Sequence, residues 1–103
     1  MSYFKPHSER ERFVYGETIT EKKLKMVEIA EDFLHKKGFL QQRVRIHGEN
    51  LARIEIEKND FDKILAIKDE INSFFKELGF VYTTLDLTGF RSGSMNEVIN
   101  ERN

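Results

Sequence analysis

The chain has no cysteine, no tryptophan and a single proline, Pro6, among its 103 residues. Without thiols there can be no disulfide, no thiolate metal site, no iron–sulfur ligation and no cysteine nucleophile. An excess of charge of one sign is also lacking. Seventeen Lys and Arg stand against 18 Asp and Glu, for a formal net charge of −1. A nucleic-acid binder that relies on bulk electrostatics carries a basic surplus, so nucleic acid is not an expected partner. No apolar run approaches the ~20 residues needed to cross a bilayer, and no signal-peptide core opens the chain. The expectation is a soluble, cytoplasmic protein with no membrane partner.

What is present suffices for one core. Hydrophobic residues make up 39% of the chain, nine of them phenylalanine, and the length suits a single domain. Residues 1–12 are polar and mixed in charge and read as a flexible N-terminal segment. Residues 13–99 read as one α+β domain and residues 100–103 as a tail. Phe13-Val14-Tyr15 is a short strand candidate closed by Gly16. Thr18 and Glu21 have capping-box spacing, and Met26, Val27, Ile29, Ala30, Phe33 and Leu34 form an apolar helical stripe. Gly38 is placed to end that helix in a left-handed conformation.

Two strands with period-2 alternation follow. Val44 and Ile46 lie on one face, with Arg43, Arg45 and His47 on the other; beyond a Gly48-Glu49-Asn50 turn, Ala52, Ile54 and Ile56 oppose Arg53, Glu55 and Glu57. A second helix is predicted from Asn59 or Asp60. Its stripe runs through Phe61, Ile64, Leu65, Ile67, Ile71, Phe74, Phe75 and Leu78, with Gly79 as its cap. A last strand begins near Phe80.

An internal repeat organises these elements. Phe33-Leu34 and Gly38-Phe39 recur 41 positions later as Phe74-Phe75 and Gly79-Phe80, and Gly48 matches Gly89 at the same offset. With Phe13–Tyr15 as a strand the order is βαββαβ, the ferredoxin-like split βαβ pattern; without it, a three-stranded αββαβ form remains. Either way two helices cover one face of a small sheet. The other face then carries Arg43, Arg45, His47, Arg53, Glu55, Tyr82, Thr84 and Asp86.

That face is the candidate site. Arg43 and Arg45 are ~7 Å apart along a strand, and each guanidinium can take a phosphate or carboxylate in bidentate fashion. After the last strand, Gly89-Phe90-Arg91-Ser92-Gly93-Ser94 is a glycine-punctuated loop. Ser94 and Glu97 have capping-box spacing, which would set backbone amides and Arg91 at a helix start suited to an anion. The plain alternative is a solvated sheet face with cross-strand ion pairs, Glu55 serving as one such partner and His47 as a structural residue. No phosphate loop, nucleophile elbow, metal-ligand spacing or dinucleotide fingerprint is present. The chain is therefore not expected to be an enzyme on its own, and no intrinsic cofactor or metal is expected.

Four stretches carry a family resemblance: Arg12-Phe13-Val14-Tyr15-Gly16 with Ile19-Thr20-Glu21; Val27-Glu28 with Ala30-Glu31 and Phe33-Leu34; Arg43-Val44-Arg45 and His47-Gly48 with Leu51-Ala52-Arg53-Ile54-Glu55; and Leu85-Asp86-Leu87 with Gly89-Phe90-Arg91-Ser92-Gly93-Ser94-Met95-Asn96-Glu97. Together they resemble the C-terminal domain of LarE-type ATP-dependent sacrificial sulfur transferases, in the PP-loop ATP pyrophosphatase superfamily. The resemblance implies an N-terminal domain that cleaves ATP and adenylylates a pyridinium carboxylate. It also implies a cysteine, just ahead of the Arg-Phe-x-Tyr-Gly stretch, that donates sulfur towards a nickel-pincer nucleotide cofactor.

By that resemblance Arg43 and Arg45 correspond to phosphate- or substrate-binding arginines near the cysteine, Glu31 and Glu55 to acidic residues near the active site, and Arg12 to the arginine following the cysteine. The departures matter. The stretch where the cysteine falls reads Pro6-His7-Ser8-Glu9-Arg10-Glu11-Arg12, these 103 residues contain no Ser-Gly-Gly-x-Asp-Ser phosphate loop, and the Gly48–Leu51 turn carries an extra residue.

The expected role is an accessory or split subunit in sulfur or cofactor metabolism, docking onto a separate PP-loop ATP pyrophosphatase protein. Its anion site comprises Arg43, Arg45, Arg91, Ser92 and Ser94, supported by Arg12, Glu31, His47, Arg53 and Glu55, for a phosphate or nucleotide ligand. The alternative is a small metabolite-binding or oligomerisation module. A homo-oligomer is expected in either case, because a small open sheet leaves edges to cover; the polar sheet face, or Phe39, Phe80 and Tyr82 near its edges, are the candidate contacts.

Overall fold

Thr20 starts the first helix, with an extended backbone and a side-chain oxygen that accepts the Lys23 amide at 3.1 Å. The computed structural model describes residues 20–91. Helix α1 is Glu21–Lys36, so the cap is Thr20 and not the Thr18 of the Thr18–Glu21 pair. Glu21 instead becomes the first helical residue, where a carboxylate complements the helix dipole. The strands β1 (Gln42–His47) and β2 (Leu51–Ile56) follow. After a 3₁₀ turn at Lys58–Asp60 come α2 (Phe61–Ala66), α3 (Lys68–Leu78) and β3 (Tyr82–Leu85). Among the described residues this gives an αββαβ order, consistent with the ferredoxin-like split βαβ pattern. The predicted strand at 13–15 lies outside the described residues.

The sheet order is β1-β2-β3. β1 and β2 form an antiparallel hairpin, with Val44 opposite Ile54 and Arg45 opposite Arg53, and β3 runs parallel to β2. With β2 and β3 directly paired, no strand sits between them among the described residues. The Asn50 carbonyl, in the hairpin turn, accepts the amides of Val81 at 2.9 Å and Tyr82 at 3.2 Å, which aligns β3 with the start of β2.

Both copies of the sequence repeat build the same local structure. Phe39 N–H donates to the Leu34 carbonyl and Gly38 N–H to that of His35, each at 3.0 Å. Phe80 and Gly79 make the equivalent bonds to Phe75 and Lys76 at the same distance. This paired-bond helix ending needs a residue at positive φ, supplied by Gly38 at +103° and Gly79 at +118°. The phenylalanine after each glycine is thereby turned inward, and Phe39 and Phe80 are buried in the core. Repeat-related Phe33 and Phe74 stack on each other, with centroids 4.1 Å apart and planes 9° from parallel. The core fills in between from Val27, Ala30 and Leu34 of α1, the inward residues of β1 and β2, and Ile64, Ile71 and Phe75.

Three expectations are corrected. The second helix is not continuous: Ile67 has φ −118° and ψ 28°, and its amide bonds back to Ile64 in a tightened last turn. A β-branched residue accommodates that extended φ readily, and no Pro or Gly marks the place. Ile29 and Leu65, assigned to the apolar stripes, are instead 39% and 52% exposed, on the flanks of faces only about 100° wide. Phe39 and Phe80, expected as oligomer contacts, have no surface left to offer. Among the described residues no helix is long and apolar enough to cross a membrane.

Candidate anion-binding face

Alternation in β1 and β2 puts Arg45 and Arg53 directly opposite each other on the face away from the helices. Two like charges so placed repel. The carboxylate of Glu55 resolves the conflict. Its Oε2 accepts from Arg45 Nε at 2.9 Å and from Arg53 Nη2 at 3.0 Å. Glu55 is only 2% exposed, because the two guanidiniums and the sheet close over it. A carboxylate held this deep is tolerable only with such partners.

The chain of charge continues. Arg53 Nε lies 3.5 Å from Asp86 Oδ2, and Arg91 Nη2 lies 3.7 Å from the same oxygen. Asp86 is placed by its backbone, since its amide bonds to the Ile54 carbonyl at 2.9 Å as the last rung beyond β3. Its other carboxylate oxygen accepts the Thr88 amide at 2.9 Å, and its carbonyl accepts the Gly89 amide at 3.0 Å. These bonds fold residues 86–89 into a turn. Gly89 is at φ +91°, and a Cβ there would come within 3.0 Å of the Ile56 carbonyl oxygen. Phe90 N–H then bonds that same oxygen at 2.7 Å, carrying Arg91 back over the polar face.

Arg43 behaves differently. It stands opposite Glu55 in the register, yet its Nε is 3.9 Å from Glu31 Oε2 on α1. That same oxygen accepts the Val44 amide at 2.8 Å. Glu31 therefore ties α1 to the outer edge of β1 and draws Arg43 towards that edge.

The structure thus brings Arg45, Arg53, Glu55 and Arg91 into one array and sets the Arg43–Glu31 pair at its margin. His47 ends β1 opposite Leu51, partly exposed. Arg12, Ser92 and Ser94 lie outside the described residues, as does the Ser94–Glu97 capping box. Asp86, which joins the two halves of the array, was placed on this face by the sequence but not named among its anion-binding or supporting residues. Its place in the Tyr82-Thr84-Asp86 alternation was the available signal. Among the described residues three guanidiniums and two carboxylates make up this array. Arg45 uses its Nε on Glu55, and among the described residues its Nη donors have no further hydrogen-bond partner. Among the described residues no three His, Asp or Glu side chains gather as a metal site.

No family model matches the chain. Curated relatives do. The pyridinium-3,5-bisthiocarboxylic acid mononucleotide synthase of Lactiplantibacillus plantarum is 42% identical over 90 residues, covering 87% of this chain and 32% of the relative. An uncharacterized protein of Synechocystis sp. is 41% identical over 92 residues, covering 87% of this chain and 34% of its own length. An uncharacterized protein of Methanocaldococcus jannaschii is 37% identical over 82 residues, 79% of this chain and 31% of that protein. The chain spans about a third of the length of the relatives it matches.

Proposed function

We propose that this chain is an anion-recognition unit of a sulfur-transfer system, binding a phosphate- or carboxylate-bearing mononucleotide on the open face of its sheet. The observation that carries the reading is the array Arg45–Glu55–Arg53–Asp86–Arg91, in which guanidiniums outnumber carboxylates on a face that no helix covers among the described residues. A phosphate placed above Arg45 and Arg91 would accept charge-assisted hydrogen bonds from their guanidiniums. Arg43, at the margin beside Glu31, would take a second anionic group of the same ligand.

Support for the ligand class comes from the similarity to the bisthiocarboxylic acid mononucleotide synthase, whose name specifies an anionic pyridinium nucleotide. In this reading ATP cleavage is supplied by a PP-loop ATP pyrophosphatase, and sulfur by a donor other than this cysteine-free chain.

A thermal-shift series with a pyridine mononucleotide, AMP, pyrophosphate and simple carboxylates tests the proposal. At a hundredfold excess over Kd a ligand stabilises the native state by ~2.7 kcal/mol, several degrees for a domain this small. The shift with the mononucleotide is expected to disappear in Arg43→Ala/Arg45→Ala. A shift of equal size in that double variant, or none with any of the compounds, removes the sheet face as the binding site.

A further inference from the structure

The two edges of the sheet are treated differently. On the outer edge of β1 a buried carboxylate occupies the ladder: Glu31 Oε2 accepts the Val44 amide at 2.8 Å. An inward-pointing charge of this kind stops another strand from adding there. The outer edge of β3 has no such device among the described residues. From Phe80 to Leu85 the chain is Phe-Val-Tyr-Thr-Thr-Leu, without a charge, a proline or a bulge. The amides of Tyr82 and Asp86 point to β2, accepted by Asn50 and Ile54, so alternation points those of Thr83 and Leu85 outward. Beneath this edge runs a groove of about 360 Å³ between β3 and the α2–α3 break, with Ile64, Leu65, Ile71, Thr83 and Leu85 in its walls. Leu65 is 52% exposed and Val81 51%. Thr83 Oγ1 is buried at the same place without a hydrogen-bond partner.

We infer that β3 pairs with β3 of a second copy of this chain, antiparallel about a two-fold axis, to make a continuous six-stranded sheet. The edge suits itself in several respects. Thr83 and Leu85 both offer outward donors and acceptors, so Thr83 of one copy exchanges bonds with Leu85 of the other and the axis passes at Thr84. An uncharged strand meets no repulsion from its own copy. The groove rim carries Lys68 beside Asp69, 69% and 98% exposed. An isologous contact that sets Lys68 of one copy against Asp69 of the other makes the reciprocal pair as well. The two grooves then close on one another and cover Leu65 and Leu85. The polar faces of the two sheets become contiguous, and neither anion site is obstructed, so this inference stands apart from the ligand proposed above.

Sedimentation equilibrium across a concentration series tests the inference, together with hydrogen exchange of the Thr83 and Leu85 amides. The expected result is a monomer–dimer equilibrium, with both amides gaining protection as the dimer forms. Thr83→Pro removes one outward donor without touching the bonds to β2. Leu65→Lys sets a charge in the contact from an exposed helix position and leaves the fold intact. Each is expected to weaken dimerisation on the order of tenfold or more. Monomeric mass at hundreds of micromolar overturns the inference. So does protection of the two amides that is already complete in the dilute monomer, which would mean that the chain covers its own edge. A dimer undiminished in Leu65→Lys and in Thr83→Pro moves the contact off β3.

Discussion

Arg45 and Arg53 show at the scale of single residues how this face is held together. They face each other across the hairpin, and the buried Glu55 carboxylate between them turns a repulsion into two charge-assisted hydrogen bonds. Glu55→Gln keeps the shape but removes the counter-charge that Arg45 and Arg53 share, leaving Arg53 with Asp86 alone. Both arginines are partly exposed, at 14% and 31% of their side-chain surface, so they can turn towards water and recover some solvation. The expected cost is about 1–3 kcal/mol, read as a lower urea midpoint at unchanged slope. A loss below about 0.5 kcal/mol would show that Glu55 does not hold the array. The face was legible in the sequence, because strand alternation alone puts Arg43, Arg45, Arg53 and Glu55 on one side. The partners were not. Arg43 lies opposite Glu55 yet turns to Glu31, since Glu31 also satisfies the Val44 amide at the sheet edge.

At the scale of elements, the glycine-ended helices are the most decisive local feature. Gly79 at φ +118° lets Phe80 turn back onto Phe75, and its Cβ position lies 3.2 Å from the flexible Met26 Cε. Gly79→Ala is therefore limited by backbone strain more than by space, and is expected to cost ~1–2 kcal/mol. On a domain of this size that is a fall in Tm of about 4–16 °C. Gly48, at φ +61° with nothing within 4 Å of its Cβ position, is a contrasting case. Gly48→Asn is expected to stay within about 0.5 kcal/mol of the parent, since Asn tolerates that conformation. A thermal melt of both variants separates strain from crowding; equal losses would contradict this account. The repeat predicted both helix ends from residues alone. It could not show the break at Ile67, because the 3.6-residue pattern runs through it and neither Gly nor Pro interrupts the chain.

For the molecule as a whole, near-neutral charge and a local cluster of arginines point to short-range recognition. A chain of net charge −1 has little field to steer polyanions, and the described arginines all lie beside carboxylates. Duplex DNA at physiological salt is expected to give no saturable binding below ~100 μM in a fluorescence anisotropy titration. Micromolar affinity there would show that the face recognises phosphate backbones generally and not one small anion.

The sequence by itself determined the element order, the inward and outward faces of each strand, and both glycine helix ends, together with the similarity to about a third of a pyridinium-3,5-bisthiocarboxylic acid mononucleotide synthase. All of these follow from periodicity, φ requirements or identity at matched positions, which are local properties of the chain. Tertiary structure alone decided that β2 and β3 pair directly, that Asp86 bridges Arg53 and Arg91, and that, among the described residues, a carboxylate blocks one sheet edge and nothing covers the other. Each of these depends on where residues far apart in sequence meet. Glu31 and Val44 are separated by a helix end and a turn, and only packing of α1 against β1 brings the carboxylate to the strand's outer amide.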